Sequence, residues 1–285
     1  MKYTFYKLQG AGNDFIFFDG LSGEKLPPDP EHLAQKLCRR RFSVGADGII
    51  FLTPAENADA FMTIYNSDGS RAKMCGNGIR CAARYMFEKC LVNGENLIID
   101  TDSGVRNIRI HSEKGRFISA SADMGVPDFL PKNIPVCTEN DSADDIPILF
   151  PDGKVMSVCC VSMGNPHAVT LVPDTLKLKI AEFGPFIENH PVFPDRTNVE
   201  FITVKNSGEI DFRVWERGCG ETLACGTGIC AAAAVAVKKG LCPLDSPITV
   251  HASGGELEAL CSSDRHIYLT GPADLIYKGE IETDD

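Results

Sequence analysis

One internal repeat constrains the fold of this 285-residue chain more than any other feature. Residues 74–84 read MCGNGIRCAAR and residues 224–234 read ACGTGICAAAA, so each segment places a cysteine before a Gly-x-Gly turn and a run of small residues. The two cysteines, Cys75 and Cys225, lie 150 positions apart (225 − 75). A repeat of this kind predicts two copies of one folding unit.

Other residues repeat with nearly the same spacing. The matching pairs are Tyr65 with Trp215, Ser103-Gly104 with Ser253-Gly254, and Gly12-Asn13 with Gly164-Asn165. Together with the cysteines they make four correspondences in one order, three of them at one offset. This indicates a duplicated half rather than a chance match of one short motif.

The predicted elements of each half are alike. Strand patterns surround a helix that begins after the motif cysteine, and the second of these helices, Gly226–Lys239, is apolar on nearly all sides, as a buried helix is. A shorter helix is predicted from Asp29, with proline at its first position, to about Arg41. We therefore predict an α+β fold with two pseudo-symmetric domains, each a curved, mostly antiparallel or mixed sheet wrapped around a central helix.

Proline-rich residues 125–135 mark the join between the halves. The predicted domains are residues 1–124, with the Cys75 helix, and residues 125–270, with the Cys225 helix.

Composition excludes several classes of protein. The net charge of −11 argues against a nucleic-acid surface. The longest apolar run, Ile229–Val237, is about half a membrane span, and the first residues lack the apolar stretch of a signal peptide. We expect a cytoplasmic protein that contacts neither membrane nor nucleic acid. The twelve cysteines then predict free thiols, and since no Cys-x-x-Cys occurs we expect no metal site.

The glycines after each motif cysteine suggest why the thiols stand there. Backbone N–H groups at a helix start bind anions, so Gly76 and Gly226 would let a substrate carboxylate approach. The same position lowers a thiol pKa towards neutrality. Two such thiols facing one cleft would suit the inversion of a stereocentre, which needs a base on one face of the carbon and an acid on the other.

Polar residues cluster in the loops beside these cysteines. Amides can accept from an ammonium and donate to a carboxylate without adding charge. Arg217 could hold a carboxylate through two contacts, and Glu216 could bind an ammonium. The set therefore favours a zwitterionic amino acid as substrate; its other members are Asn13, Asn66, Asn165, His167 and Asn198.

These motifs resemble those of the diaminopimelate epimerase family. The matching stretches, which span nearly the whole chain in the family's order, are GAGNDF (10–15), YNSDGS (65–70), MCGNGIRC (74–81), SMGNPH (162–167), WERGCGET (215–222) and ACGTG (224–228). The resemblance implies a cofactor-independent isomerase, without pyridoxal phosphate, that interconverts LL- and meso-diaminopimelate in lysine and peptidoglycan synthesis. It also implies a homodimer, and residues 271–285 returning to the first domain.

The resemblance also implies a role for each site residue. Cys225 would be the base towards the LL isomer and Cys75 the acid. Gly76-Asn77 and Gly226-Thr227 would hold the reacting carboxylate. The thiols would be tuned by His167 and Glu216. The rest of the substrate would be bound by Asn13, Asn66, Asn165, Asn198, Glu216 and Arg217.

Two positions depart from the family pattern. Gly48 stands where some members carry a substrate-contacting glutamine, and Cys219 where alanine is frequent.

Two rival functions stay open. A proline or hydroxyproline racemase would use the same cysteine pair, but such enzymes typically have histidine where this chain has Asn77. A thiol redox or metal-binding protein is the alternative from another class.

Overall fold

The computed structural model describes residues 1–92, 94–139 and 141–282. The chain divides into two compact units. Unit 1 comprises residues 1–123 and the described residues from Thr270 onwards, and unit 2 comprises residues 124–269. Of the predicted returning segment, residues 283–285 lie outside the described residues.

Unit 1 is a mixed sheet with two helices. Its elements are β1 (Lys2–Gly10), β2 (Asn13–Asp19), α1 (Pro30–Leu37), β3 (Gly48–Thr53), β4 (Ala60–Asn66), β5 (Arg71–Ala72), α2 (Gly76–Glu88), β6 (Asn96–Thr101), β7 (Arg106–Glu113), β8 (Arg116–Asp123) and β18 (Asp274–Glu282). The strands pair in the order β18-β1-β2-β3-β4-β6-β7-β8, and β5 pairs beside β4. The β2–β3 and β4–β6 pairs are parallel and the others antiparallel.

The sheet of unit 1 curves around α2. This helix contacts β18 and β1 at one end of the strand order and β7 and β8 at the other. A flat sheet of eight strands would span about 34 Å, about three times the diameter of a helix. One helix can therefore touch both ends only if the sheet wraps around it.

Unit 2 repeats this plan. Its elements are β9 (Ile146–Leu149), β10 (Val155–Ser162), β11 (Pro166–Leu171), α3 (Ile180–Glu188), β12 (Asn198–Asn206), β13 (Glu209–Glu216), β14 (Gly220–Thr222), α4 (Gly226–Lys238), β15 (Pro247–Ala252), β16 (Gly255–Cys261) and β17, which runs across the unit boundary (Ile267–Gly271). The pairs β11–β12 and β13–β15 are parallel, as are their counterparts in unit 1. Helix α4 packs on β10, β11, β12, β13 and β16.

The strand registers repeat as well as the strand order. Tyr65 pairs with Arg71 in the β4–β5 hairpin, and Trp215 pairs with Glu221, 150 positions later, in the β13–β14 hairpin. The α+β fold with a duplicated unit, each sheet enclosing one helix, is therefore confirmed.

Helix α1 is shorter than the sequence predicts. It starts at the expected place, where the Asp29 side chain accepts a hydrogen bond from the backbone N–H of His32. It ends at Leu37 rather than near Arg41, because the chain turns after the Cys38 cap and Arg41 takes a left-handed conformation with φ 71°.

Within the described residues, no helix is both long and apolar enough to cross a membrane.

Candidate active site

The Cys75 thiol caps the helix α2. Its Sγ accepts a hydrogen bond from the backbone N–H of Gly78 at 3.4 Å and donates to Asn13 Oδ1 at 3.6 Å. The same oxygen accepts from Asn77 Nδ2 at 3.5 Å. Unit 1 therefore brings together four of the predicted site residues around one helix start: Asn13, Cys75, Asn77 and Gly76, the first residue of α2.

Two charged side chains, Asp47 and Arg80, hold the amides of Asn13 and Asn77 in place beside the Cys75 thiol. Asn13 Nδ2 donates to Asp47 Oδ2 at 2.7 Å, which holds the amide with its oxygen towards the thiol. Arg80, whose side chain is fully buried, donates to Asn77 Oδ1 at 2.7 Å and to the Gly76 carbonyl at 2.9 Å. Sequence reasoning assigned no role to Asp47 or Arg80, because a charged side chain gives no sign of its burial when a sequence is read alone.

The remaining predicted residue of unit 1 has a different neighbour. Asn66 is the last residue of β4, and its Nδ2 donates to Ser70 Oγ at 3.0 Å. Gly48, at the start of β3, has no room for a side chain, since a Cβ atom there would lie 2.6 Å from the carbonyl oxygen of Tyr65. Glycine at this position is therefore required by packing.

Cys225 is the N-cap residue of helix α4 in unit 2. Its Sγ lies 3.4 Å from Thr227 Oγ1, and Thr227 in turn accepts from Asn165 Nδ2 at 3.3 Å. Asn165 Oδ1 lies 3.0 Å from His167 Nε2. The predicted residues Asn165, His167 and Thr227 thus form one chain of hydrogen bonds that ends at the sulfur.

The pKa of Cys225 departs from the sequence prediction. Burial raises the pKa of this thiol well above its usual range, and the carboxylate of Glu216 acts in the same direction. The hydroxyl of Thr227 and the backbone N–H of Gly228 oppose them. The expected lowering towards neutrality is therefore wrong for Cys225 in this structure, because desolvation outweighs the helix start.

Two further predicted residues are held at the β13–β14 turn. Asn198 Oδ1 accepts from the backbone N–H of Arg217 at 3.0 Å, and its Nδ2 donates to the Pro166 carbonyl at 2.9 Å. Thr222 donates its hydroxyl hydrogen to Glu216 Oε1. Asn198 therefore connects the Arg217 turn to strand β11.

Glu188 supports the same turn, although sequence reasoning gave it no role. It is buried, and its carboxylate accepts from Trp215 Nε1 at 2.8 Å and from the backbone N–H of Gly218 at 2.8 Å. Helix α3, which carries it, is interrupted in sequence by Pro185 and was not predicted.

The two units differ in the side chains that two strands of each sheet place near the start of the motif helix. His167 and Glu200 stand where the repeat places Phe15 and Ile50 in unit 1, so an apolar pair is replaced by a buried histidine and carboxyl. Glu200 was missed because strand β12 reads as an apolar run. Comparing position 200 with the buried Ile50 of the repeat would have found it.

Among the described residues, none of the twelve cysteines forms a disulfide, and no three His, Cys, Asp or Glu side chains are grouped so that they could hold a metal ion. Thiols can donate and accept protons, and the amides and helix N–H groups beside them are placed to bind an anion.

Solved structures with this fold include racemases and epimerases. A probable proline racemase from Agrobacterium radiobacter K84 superposes with a TM-score of 0.74 at 15% identity, covering 99% of this chain and 93% of that one. A hydroxyproline epimerase from Agrobacterium vitis gives a TM-score of 0.72 at 15% identity, covering 100% of this chain and 93% of that one. At this identity the likeness extends to the fold alone.

Sequence relatives are much more similar. Diaminopimelate epimerase from Moorella thermoacetica is 44% identical over 98% of this chain and 99% of its own length. Diaminopimelate epimerase from Methanococcus maripaludis strain S2 is 38% identical over 99% of this chain and 100% of its own length. The sequence model of diaminopimelate epimerases matches residues 5–130 and 159–276. The chain therefore belongs to the diaminopimelate epimerase family.

Proposed function

We propose that the protein interconverts LL- and meso-diaminopimelate by proton transfer at the α-carbon, with Cys75 and Cys225 as the two acid–base groups. The observation that carries the proposal is the repeated helix start: in each unit a cysteine precedes a Gly-x-Gly turn and contacts an amide or hydroxyl of the same site. One thiolate removes the α-proton from one face, and the other thiol delivers a proton to the opposite face. No redox change occurs in this exchange.

The helix starts suit the charge that develops during this reaction. Removal of the α-proton places negative charge on the substrate's carboxylate. Backbone N–H groups at the starts of α2 and α4, with Asn77 and Thr227, would stabilise it without moving. The protein would thereby contribute through fixed hydrogen-bond donors what a covalent cofactor contributes elsewhere.

The distal end of the substrate would be bound by the polar residues at the strand ends. We assign the second carboxylate to Arg217 and the second ammonium to Glu216, with Asn13, Asn66, Asn165 and Asn198 as the amides that orient the molecule. His167 and Glu216 would adjust the pKa values of the two thiols.

We also propose that the enzyme works as a homodimer in the cytoplasm. Size-exclusion chromatography with light scattering would test the oligomeric state, and cell fractionation would test the location.

The direct test is incubation with LL-diaminopimelate in the absence of any cofactor, followed by chiral analysis of the product. We expect a mixture of LL and meso isomers. Racemisation of L-proline or trans-4-hydroxy-L-proline under the same conditions, without conversion of diaminopimelate, would instead support the rival racemase.

Replacing Arg217 by lysine is expected to reduce kcat/KM about a hundredfold. Arg217 Nη1 donates to the Asp195 carbonyl at 3.0 Å, which fixes the guanidinium, and its other N–H groups have no protein acceptor among the described residues. Lysine keeps the charge but loses the planar pair of donors, and a misplacement of about 1 Å can cost about a hundredfold in rate. Steady-state kinetics with diaminopimelate measure the effect.

The matched control for this variant is Arg196→Lys. Arg196 forms an ion pair with Glu188 at 3.1 Å, which lysine can retain, and it has no assigned contact with substrate. Near-normal kinetics are expected for the control. If Arg217→Lys were equally active, the second carboxylate would have to be bound elsewhere.

A further inference from the structure

Glu200 and His167 form a fully buried pair in the strands that support α4. Both side chains are inaccessible to solvent, and His167 Nδ1 lies 2.7 Å from Glu200 Oε1. The other carboxyl oxygen, Oε2, has no hydrogen-bond partner among the described residues. Space for the carboxyl exists because residue 228 is glycine: a Cβ atom there would lie 2.8 Å from Glu200 Oε1.

The pair is the far end of a continuous series of hydrogen bonds. From Glu200 it passes through His167 and Asn165 to Thr227, with successive distances of 2.7, 3.0 and 3.3 Å. The last step, from Thr227 Oγ1 to Cys225 Sγ, is 3.4 Å. We call Glu200, His167, Asn165 and Thr227 the relay.

The chemistry of the atoms fixes where the hydrogens lie. The amide oxygen of Asn165 can only accept, so His167 must carry a hydrogen on Nε2. The amide nitrogen of Asn165 donates to Thr227, which leaves the threonine's own hydroxyl hydrogen free to be donated to the sulfur. At the other end, Nδ1 and the carboxyl oxygen can bond only if they share a second hydrogen.

We propose that Glu200 is a positioning residue for Cys225: with His167 it holds one proton between Oε1 and Nδ1, and so directs every hydrogen bond of the relay towards the sulfur. The thiolate of Cys225 then receives a hydrogen bond from the Thr227 hydroxyl, 3.4 Å away. The inference deepens the proposed function, because it rests on Cys225 being an acid–base group.

The surroundings of the pair favour retention of this proton. Burial raises the pKa of the Glu200 carboxyl, and Glu216 acts in the same direction while His167 opposes it. An ionised carboxyl would leave the charged Oε2 buried without a partner, which is costly.

Unit 1 indicates that packing alone does not require the pair. At the equivalent positions Phe15 and Ile50 are buried, and Ile50 faces Gly78 as Glu200 faces Gly228. The same scaffold therefore accepts an apolar pair. In unit 2 the polar pair fixes which atom donates in each hydrogen bond of the relay, so that the last donor is directed at the sulfur of Cys225.

The test compares Glu200→Gln with Glu200→Met. A glutamine amide donates to Nδ1 and so keeps the hydrogen of His167 on Nε2, whereas methionine fills the space and donates nothing. The rate of alkylation of Cys225 by iodoacetamide, followed by peptide mass spectrometry as a function of pH, reports the thiolate. We expect the wild-type midpoint for Glu200→Gln and a midpoint about one pH unit higher for Glu200→Met.

Two variants serve as controls. Ile50→Met makes the matched change in unit 1 and should leave the Cys225 midpoint unaltered. Thr227→Val removes the last hydroxyl of the relay and should raise the midpoint by itself; adding Glu200→Met to it should then have no further effect, because both act through one path.

Three results would overturn the proposal. The first is an unchanged midpoint in Glu200→Met. The second is a lower midpoint in Glu200→Gln, which would mean that Glu200 acts on the thiol through its charge. The third is a His167 ring without hydrogen on Nε2 in ¹⁵N NMR of the wild-type protein, a measurement that holds even if Glu200→Met fails to fold. None of these measurements uses substrate, so they are independent of whether diaminopimelate is epimerised.

Discussion

Replacing either Cys75 or Cys225 by alanine is expected to lower the rate of diaminopimelate epimerisation by about 10²–10⁴-fold. Each thiol is assigned to one face of the α-carbon, so either loss leaves that face without a proton carrier. The fold should survive, because each cysteine is the cap of its helix and not part of the helix interior. Initial rates measured by chiral chromatography, with circular dichroism as the check on folding, give the result.

Two buried cysteines in the same helices provide matched controls. Cys81 in α2 and Cys230 in α4 are fully buried, and neither is assigned a role in the reaction. Cys81→Ala and Cys230→Ala should therefore retain most of the activity. A Cys75→Ala or Cys225→Ala variant with more than about a tenth of the wild-type rate would refute the assignment of two thiols, since a general acid or base contributes at least tenfold more than that.

In D₂O, the meso product formed from LL substrate should carry deuterium at the inverted carbon from the first turnover. If the two thiols act on opposite faces, the proton removed by Cys225 never reaches Cys75, whose own hydrogen has exchanged with solvent. Substrate recovered at low conversion should remain largely unlabelled, because the base returns the original proton. Mass spectrometry of product and residual substrate measures both quantities.

A single base that moves between faces predicts a different pattern. It would carry protium from the substrate into the product. Substantial protium at the inverted centre would therefore exclude the two-thiol mechanism even if both cysteines proved essential, because each could then be required for binding alone.

Local sequence patterns predicted the starts of helices well, because a single cap residue, proline or glycine sets the backbone conformation there. Asp29 followed by proline predicted the start of α1, and the Gly-x-Gly turns predicted the starts of α2 and α4. Ends were less predictable. Helix α1 was predicted to about Arg41, yet it ends at Leu37, and Arg41 takes a left-handed conformation with φ 71°.

Properties that depend on burial could not be predicted from the sequence. The residues around Glu200 in its own strand carry no sign that it will be fully enclosed, and only the alignment with Ile50 of the repeat points to its burial. Its pairing with His167 was therefore not foreseen. For the same reason the pKa of Cys225 was predicted in the wrong direction. The helix start is visible in sequence, whereas the desolvation that outweighs it depends on residues distant along the chain.

Strand β18 has a consequence for the synthesis of the chain. Residues 274–282 pair with β1, the first strand, from Lys2 opposite Glu282 to Gln9 opposite Asp274. Until β18 has been synthesised, strand β1 of unit 1 therefore lacks one of its two neighbours, although the other strands of the unit are made much earlier. Unit 2 is continuous and has all of its residues at that time. The half that is made second thus has all of its residues before the half that is made first, because strand β1 must wait for β18.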